Sequence, residues 1–286
     1  MSSTEHCERV KNYYRGPKAR TNYEDFLGRN CHFGYTPLRD PSPYNLQEAQ
    51  LAMRRLLGTR LNLPPNSLVL DAGCGYGPVS ETLADDFELQ VVGIDLMPEV
   101  LKLARDRDIP DPHFSEADYH RLPFASESFH GVLTMETLVH AQSVEVVLKE
   151  FYRVLKPGGV LVLFEYSIPG FYKHIPGVNR LAESVIKRTV MTSLPSFTFG
   201  AFPNLLAQAG FIETQVEDIS ENVYSTWRYL WKHSIEILRD QVRNGEFTLD
   251  RIQGSLLIYP ARRFLKYCVV VAKKPSDKSE NLTHSS

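Results

Sequence analysis

Little in the chain points to a secreted, metal-binding or membrane-spanning protein. Its 286 residues include only four cysteines, whose irregular spacing matches neither a disulfide framework nor a metal site: Cys7, Cys31, Cys74 and Cys268. We therefore expect reduced thiols and no bound metal. No N-terminal apolar segment resembles a signal peptide, and no apolar run reaches the roughly 18 residues that a membrane span requires. These absences predict a cytoplasmic protein without stable membrane insertion.

The chain also lacks a strong net charge. Its 32 basic and 34 acidic residues leave a formal net charge of -2 and a pI near 6.5. A nucleic-acid-binding surface requires an excess of lysine and arginine, and that excess is missing. We expect a small-molecule ligand and no nucleic-acid partner.

Glycine is not abundant, but several glycines are concentrated in one stretch. The apolar run at 68–70 ends in Asp71, and Gly73, Gly75 and Gly77 follow at every second position. Without a Cβ, these glycines allow a sharp turn and a close approach of a ligand to the main chain. The helical pattern that follows offers its free amide groups to the same ligand. The stretch therefore predicts a strand, a turn and a helix around a nucleotide-type pocket.

A dinucleotide-binding fingerprint fits this stretch poorly. The fingerprint needs a small residue where the chain has Pro78, and it would place the carboxylate of Asp71 beside a pyrophosphate. An acid directly before the glycine turn suits a ligand that carries an ammonium group, such as the methionine end of S-adenosylmethionine. This argument favours S-adenosylmethionine over NAD.

Two further acids follow predicted strands. Asp95 comes 20 residues after the second glycine of the turn, where a carboxylate holds a ribose diol in nucleotide-binding folds. Asp118 is a candidate to accept the adenine amino group, although it could also simply cap a turn. The residues that follow these two acids, Leu96 and Tyr119, are further candidates for contact with the cofactor.

These three acids, the glycine turn and the stretch Val-Leu-Lys-Pro-Gly-Gly at 154–159 resemble the class I S-adenosylmethionine-dependent methyltransferases. The resemblance is closest to the small-molecule group that includes sterol side-chain and tocopherol-type enzymes, and it is specific between about 66 and 165. It implies S-adenosylmethionine as cofactor. It also implies an α/β fold with a doubly wound, mostly parallel seven-stranded sheet, the Rossmann-like methyltransferase fold, with helical cap insertions.

Residues 31–35, Cys-His-Phe-Gly-Tyr, are similar to the His-Phe-Gly signature of that family, although the stretch before them departs from the sterol enzymes. In the family, a comparable N-terminal segment folds over the cofactor. The resemblance therefore adds Tyr14, which lies in the aromatic N-terminal segment, to the candidate cofactor-binding residues. The alternative is that these aromatic residues only pack.

The alternation of strands and helices by itself predicts a doubly wound parallel sheet. Strands are predicted near 67–71, 90–95, 113–118, 129–135, 159–165, 211–218 and 267–272, and helices near 78–87, 97–107 and 143–155. Asn45 and Glu48 form a capping box that begins an earlier helix. Ligands of such sheets bind beyond the carboxyl ends of the strands, where the three acids fall.

Segments outside this alternation define the predicted domain organisation. We predict an N-terminal cap segment at 1–44, a methyltransferase domain at 45–274 with cap insertions near 166–199 and 222–264, and a disordered tail at 275–286. The amphipathic helix of the second insertion needs a surface to bury against. That surface could be the pocket, a second copy of the chain in a homodimer, or a membrane, and the mixed charges argue against the membrane.

The candidate catalytic residues follow the fourth strand. S-adenosylmethionine carries an activated methyl group, so the protein must chiefly align the acceptor and exclude water. A base is needed only if the acceptor must lose a proton. Glu136 and His140 resemble the acid and His-Ala pattern of the sterol-type enzymes, and their spacing on a helical turn predicts that they pair. The alternative is that Glu136 caps the turn and His140 is a buried structural histidine.

The predicted function is S-adenosylmethionine-dependent methyl transfer to a large, apolar small molecule. Insertions rich in aromatic residues suit a terpenoid, sterol or polyketide-derived acceptor, methylated on carbon or oxygen. One alternative is a cofactor-bound enzyme that catalyses rearrangement or cyclisation, with the sulfonium as a fixed positive charge. Another is a noncatalytic partner subunit, although such a subunit has no physical need for the acids and glycines of a cofactor site.

Overall fold

A computed structural model of the protein describes residues 3–16, 26–38, 44–106, 113–245 and 253–276. Seven strands form one sheet in the order β3-β2-β1-β4-β5-β7-β6. The strands are β1 (Leu68–Ala72), β2 (Gln90–Asp95), β3 (His113–Glu116), β4 (Phe129–Met135), β5 (Leu155–Ser167), β6 (Ile212–Asp218) and β7 (Lys266–Lys273). The first five strands pair in parallel, while β7 runs antiparallel to both β5 and β6. The predicted doubly wound, mostly parallel sheet is confirmed.

The described helices include those predicted between the strands. They are α1 (Ser3–Arg15), α2 (Leu46–Leu61), α3 (Pro78–Phe87), α4 (Pro98–Arg105), α5 (Val144–Val154), α6 (Pro176–Thr189), α7 (Ala201–Ala209), α8 (Ser220–Arg243) and α9 (Gln253–Ile258). The N-cap of α2 is Asn45, whose side chain accepts hydrogen bonds from the amides of Gln47 and Glu48. The predicted helix start at this position is confirmed.

The central strands are apolar because the sheet is covered on both faces. Val69 and Leu70 of β1 and Val132 of β4 are completely buried, as expected of parallel strands with helices on either side. Helix α5 places Val147 and Phe151 in the same core. The core thus fixes the strands whose carboxyl ends carry the candidate acids.

Two features differ from the sequence prediction. Helix α1 was not predicted, because the N-terminal segment has no continuous apolar periodicity. Strand β5 begins at Leu155, earlier than expected, and continues to Ser167, so the first insertion starts after the strand and contains α6. The predicted disordered tail, 275–286, lies outside the described residues from 277 onwards.

The insertions contribute helices rather than strands. Helix α6 has no buried residue, whereas α8 buries Trp227 and Leu230 against the core. Among the described residues, no helix is both long enough and apolar enough to cross a membrane.

Candidate active site

The candidate site is a cleft at the point where the order of the strands reverses. Strand β1 lies between β2 and β4, and the connections after β1 and β4 leave in opposite directions, which opens a crevice at their carboxyl ends. The cleft is lined by Asp71, Gly73, Gly75 and Asp95 from the cofactor prediction, together with Glu136 and His140. Leu96, Tyr119 and Tyr14 also line it.

The glycine turn follows β1 and is held against β2. The amides of Gly73 and Cys74 both donate to the carbonyl of Ile94, at 2.7 and 2.9 Å. Gly73 has a φ of 93°, and a Cβ at this position would lie 2.6 Å from the side chain of Thr137. A larger residue is therefore excluded both by backbone conformation and by space. The turn brings the main chain to the floor of the cleft.

Asp71 is the buried acid directly before this turn. Its side chain is 2% exposed, and its Oδ2 accepts a hydrogen bond of 2.6 Å from the hydroxyl of Ser80. Burial raises the pKa of Asp71 to about 7, although the Ser80 hydroxyl opposes the shift. A cationic ligand in the cleft would favour the ionised form again, so the position suits an ammonium group.

Asp95, the last residue of β2, connects the glycine turn to the segment that follows β2 through hydrogen bonds. Its Oδ2 accepts from the amide of Gly75 and its Oδ1 from the amide of Met97, both at 2.9 Å. Each carboxylate oxygen retains a further lone pair that can accept a ribose hydroxyl. Burial raises the pKa of Asp95 against the opposing effect of the amide donors. The apolar side chains of Ile94 and Val100 line the cleft nearby.

Asp118 is the predicted cofactor residue that the structure does not bring into the cleft lining. Its Oδ1 accepts from the amide and from Nδ1 of His120, at 2.9 and 2.6 Å, and its Oδ2 accepts from the thiol of Cys7 at 3.3 Å. Burial acts to raise the pKa of Asp118, but His120 holds it below its usual value. The next residue, Tyr119, lines the cleft and donates its hydroxyl to the carbonyl of Thr137 at 3.1 Å.

Helix α1 lies against the cleft on the side of β2 and β3. Lys11 forms an ion pair with Glu116 at 3.0 Å, and Arg15 pairs with Glu99 at 2.8 Å. Glu116 is the last residue of β3, and Glu99 lies in α4, which follows β2. The inner face of α1 contributes Tyr14 to the cleft lining. The helix is thus placed to cover a bound cofactor.

The predicted pairing of Glu136 with His140 is wrong. The backbone at Glu136 is left-handed, with a φ of 59°, and a 3₁₀ turn at Leu138–His140 replaces the α-helical turn that the spacing argument assumed. His140 instead donates from Nδ1 to the carbonyl of Val190 at 3.1 Å, so its Nε2 accepts from the hydroxyl of Tyr14 at 3.0 Å. Burial lowers the pKa of His140 to about 4, which keeps the ring neutral.

Glu136 is the centre of a separate buried network. Its Oε1 accepts from the amide of Phe33 and the hydroxyl of Tyr267, each at 2.8 Å, and its Oε2 accepts from the hydroxyl of Tyr166. Burial raises the pKa of Glu136 to about 7 even though these three donors oppose the shift. Three hydrogen bonds therefore fix the carboxyl group in position, on a residue that lines the cleft.

Sequence reasoning missed two residues of this site. Glu165 of β5 is completely buried and accepts a hydrogen bond of 2.7 Å from the amide of Leu138, so it holds the loop that carries His140. An acid inside an otherwise apolar strand was the signal for it. His32, in the His-Phe-Gly signature, also lines the cleft, but the sequence argument assigned it no role.

The residues present fit S-adenosylmethionine. Asp71 suits the ammonium group, Asp95 the ribose diol, the glycine turn a close main-chain approach, and the apolar walls an adenine ring. Within the described parts of the chain, no cluster of three or more histidine, cysteine or acidic side chains is arranged to hold a metal ion. All four cysteines are free thiols.

Comparison with known proteins agrees with this fit. A model described as a methyltransferase domain matches residues 70–163. The S-adenosyl-L-methionine-dependent Diels-Alderase iccD of Talaromyces variabilis is 32% identical over 242 residues, which cover 81% of this chain and 82% of that protein. The O-methyltransferase cnsE of Penicillium expansum is 33% identical over 70% of this chain and 71% of that protein. The crystal structure of the [4+2]-cyclase SpnF has the same fold, with a TM-score of 0.73, 21% identity and coverage of 95% of this chain and 97% of that one.

Proposed function

The chain belongs to the class I S-adenosylmethionine-dependent methyltransferases, and we propose that it methylates a large, apolar small molecule of secondary metabolism on carbon or oxygen. The observation that carries this proposal is the position of Glu136. Glu136 lines the same cleft as the candidate cofactor residues, and the hydrogen-bond partners of its carboxyl group belong to three aromatic residues: Phe33, Tyr166 and Tyr267.

The bound cofactor would supply a methyl group already activated on a positively charged sulfur. The tasks of the protein are then to align the acceptor, to exclude water and, where the acceptor requires it, to remove a proton. Helix α1 covers the adenosine side, and the segment that carries Phe33 closes the side next to Glu136. These two N-terminal segments therefore exclude solvent from the reacting groups.

Glu136 is proposed to stabilise positive charge that develops near the acceptor. Three donors fix its carboxylate, so it needs no reorganisation when that charge develops. His140 is proposed to accept a proton through Nε2. In the structure the Tyr14 hydroxyl donates a hydrogen bond to that nitrogen. The proton therefore either passes through the Tyr14 hydroxyl or reaches His140 after Tyr14 moves.

The apolar class of the acceptor is supported by the rings around Glu136. The ring of Phe33 lies edge-on to those of Tyr166 and Trp227, with centroids 5.8 and 5.9 Å apart, and all three residues are buried. These rings lie in the core behind Glu136, while the cleft itself is lined by apolar and aromatic residues such as Tyr14, Tyr76 and Met135. Pockets with such a lining bind large apolar molecules that carry few polar groups. The proposed acceptor is therefore a terpenoid, sterol or polyketide-derived compound.

The experiment for this assignment is an acceptor panel. The purified protein is incubated with methyl-labelled S-adenosylmethionine and with matched sets of apolar and polar acceptors that carry a hydroxyl group or an alkene. We expect label in apolar products alone. Transfer confined to small polar amines or acids would contradict the proposed acceptor class while leaving methyl transfer intact.

A cyclisation without methyl transfer is the second candidate. One relative is named a Diels-Alderase and one solved structure a [4+2]-cyclase. In the described state both nitrogens of His140 and both oxygens of Glu136 are occupied by protein groups, and a cyclisation needs no free base. Consumption of a polyene acceptor with unlabelled product and unchanged cofactor would identify this reaction.

A further inference from the structure

The function of the His-Phe-Gly signature is explained only in part by the site above. Phe33 donates its amide to Glu136. Gly34 packs against α2 so closely that a Cβ would lie 2.5 Å from the Cβ of Ala49. His32 remains without an assigned role, although it is one of the residues that line the cleft and is only 2% exposed.

The hydrogen bonds of His32 define which of its nitrogens can bind a ligand. Its Nδ1 lies 2.8 Å from the carbonyl of Phe33, and because a carbonyl only accepts, Nδ1 must carry the proton. Nε2 is then a bare acceptor, and among the described residues it has no hydrogen-bond partner. A buried acceptor without a partner costs free energy unless a donor from a ligand or solvent meets it.

The position of His32 in the cleft can be inferred from its two neighbours. Cys31 Sγ lies 3.9 Å from the point where a Cβ of Gly75 would be, so the segment starts over the glycine turn. Phe33, one residue after His32, reaches Glu136 at the end of β4. His32 therefore lies between the glycine turn and β4. Asp71 lies in β1, directly before the glycine turn and next to β4 in the sheet. His32 and Asp71 are therefore in the same region of the cleft.

We propose that Nε2 of His32 accepts a hydrogen bond from the ammonium group of the cofactor's amino-acid end, opposite the carboxylate of Asp71. This inference rests on the proposed function, because it takes the cofactor to lie with its amino-acid end at the glycine turn. An ammonium group has three donors and no lone pair. The two residues supply complementary acceptors, one charged and one neutral.

Burial supports this assignment, because it lowers the pKa of His32 to about 3. The ring stays neutral under working conditions and does not repel the cationic ligand. A lysine or a protonated histidine at the same place would repel it.

The test compares three ligands by calorimetry with the full-length protein. S-adenosylhomocysteine carries the whole amino-acid end, 5′-(3-aminopropylthio)adenosine retains the amine without the carboxylate, and 5′-methylthioadenosine lacks both. His32→Phe should weaken the binding of the first two ligands about tenfold or more, as expected for a lost hydrogen bond to a charged group. It should change the dissociation constant of methylthioadenosine by no more than about twofold. His32→Gln, whose amide oxygen can occupy the place of Nε2, should restore most of the affinity.

Other outcomes overturn the assignment in distinguishable ways. Equal losses for all three ligands would show that His32 only supports the fold of the cleft. Unchanged affinity for all three would remove His32 from the cofactor site, and a change in the Michaelis constant of the acceptor would then assign it to the acceptor. If the parent protein binds none of the ligands, the proposed function itself fails.

Discussion

The hydroxyl of Tyr14 lies 3.0 Å from Nε2 of His140, so the first helix of the chain contacts the candidate base directly. His140 also accepts a hydrogen bond through its backbone, because Nε2 of His6 lies 2.8 Å from its carbonyl. The position of α1 therefore determines whether Nε2 of His140 is accessible to an acceptor. Any acceptor whose proton goes to His140 must replace or use the Tyr14 hydroxyl.

Replacing the proposed base, His140, should lower turnover without weakening the binding of the cofactor. His140→Ala is expected to reduce the turnover number about a hundredfold or more, the usual effect of losing a general base. Because the pKa of His140 is about 4, the ring is the unprotonated base at every pH above that value. The contribution of His140 to turnover should be constant between about pH 5 and 8 and decline only as the pH falls through about 4. Steady-state kinetics across pH test this, with Tyr14→Phe as a variant that uncovers Nε2. Turnover of His140→Ala at the parent rate would make His140 structural.

Glu136 should give the enzyme a pH dependence near neutrality. Its pKa is raised to about 7, so the carboxylate that is proposed to stabilise positive charge forms as the pH rises through about 7, and turnover should rise with it. Glu136→Gln should lower turnover and remove this rise. Glu217→Gln replaces an exposed acid of β6 that pairs with Arg60; it is the control and should keep the parent profile. A parent profile that is flat between pH 6 and 8 would contradict the role of Glu136.

Asp95 should carry a large part of the affinity for the cofactor. Asp95→Ala removes the proposed charged acceptor of the ribose hydroxyls, and a hydrogen bond to a charged group contributes about 1.5 to 3 kcal/mol. It also releases the amides of Gly75 and Met97. Calorimetry with S-adenosylhomocysteine should show at least tenfold weaker binding, with Asp240→Ala, an exposed acid near the end of α8, as the control. Equal affinities of the two variants would remove the ribose assignment.

Helix α1 should become more protected when the cofactor binds. We expect hydrogen exchange of residues 3–15 to slow in the presence of S-adenosylhomocysteine, because the helix covers the adenosine side and is held by exposed ion pairs. Lys11→Glu should reverse part of this protection, and the double variant with Glu116→Lys should restore it. The effect of each ion pair is small, about 0.2 to 1 kcal/mol. Equal exchange with and without ligand would make α1 a static part of the fold.

The sequence predicted the sheet and the cofactor side of the site because both depend on local patterns. Asp71 and Asp95 lie where short apolar strands end, and parallel strands bring their carboxyl ends to one edge of the sheet. The catalytic pairing failed because the spacing argument assumed an α-helix after β4, whereas the left-handed backbone of Glu136 sends the chain into a 3₁₀ turn. Only the tertiary structure could reveal the partners of Glu136, since Phe33 and Tyr267 are distant from it in sequence.

Helix α1 was missed for a similar reason. Only His6 and Val10 among its 13 residues are buried, so the segment carries too weak an apolar pattern to predict a helix. Its placement depends on contacts with the cleft, such as the ion pair of Lys11 with Glu116. Sequence patterns report such long-range polar contacts poorly, because either partner alone is typical of a solvent-exposed surface.

The most direct measurement of the central claim is a single-turnover reaction with trideuteromethyl S-adenosylmethionine and an apolar acceptor identified from the panel. The protein is mixed in excess over both ligands, the reaction is quenched, and the acceptor and the cofactor are quantified together by mass spectrometry. Methyl transfer predicts an acceptor that has gained one trideuteromethyl group for each S-adenosylhomocysteine formed, with a slower rate in Glu136→Gln. An acceptor that is converted at unchanged mass, with S-adenosylmethionine recovered intact, would contradict methyl transfer.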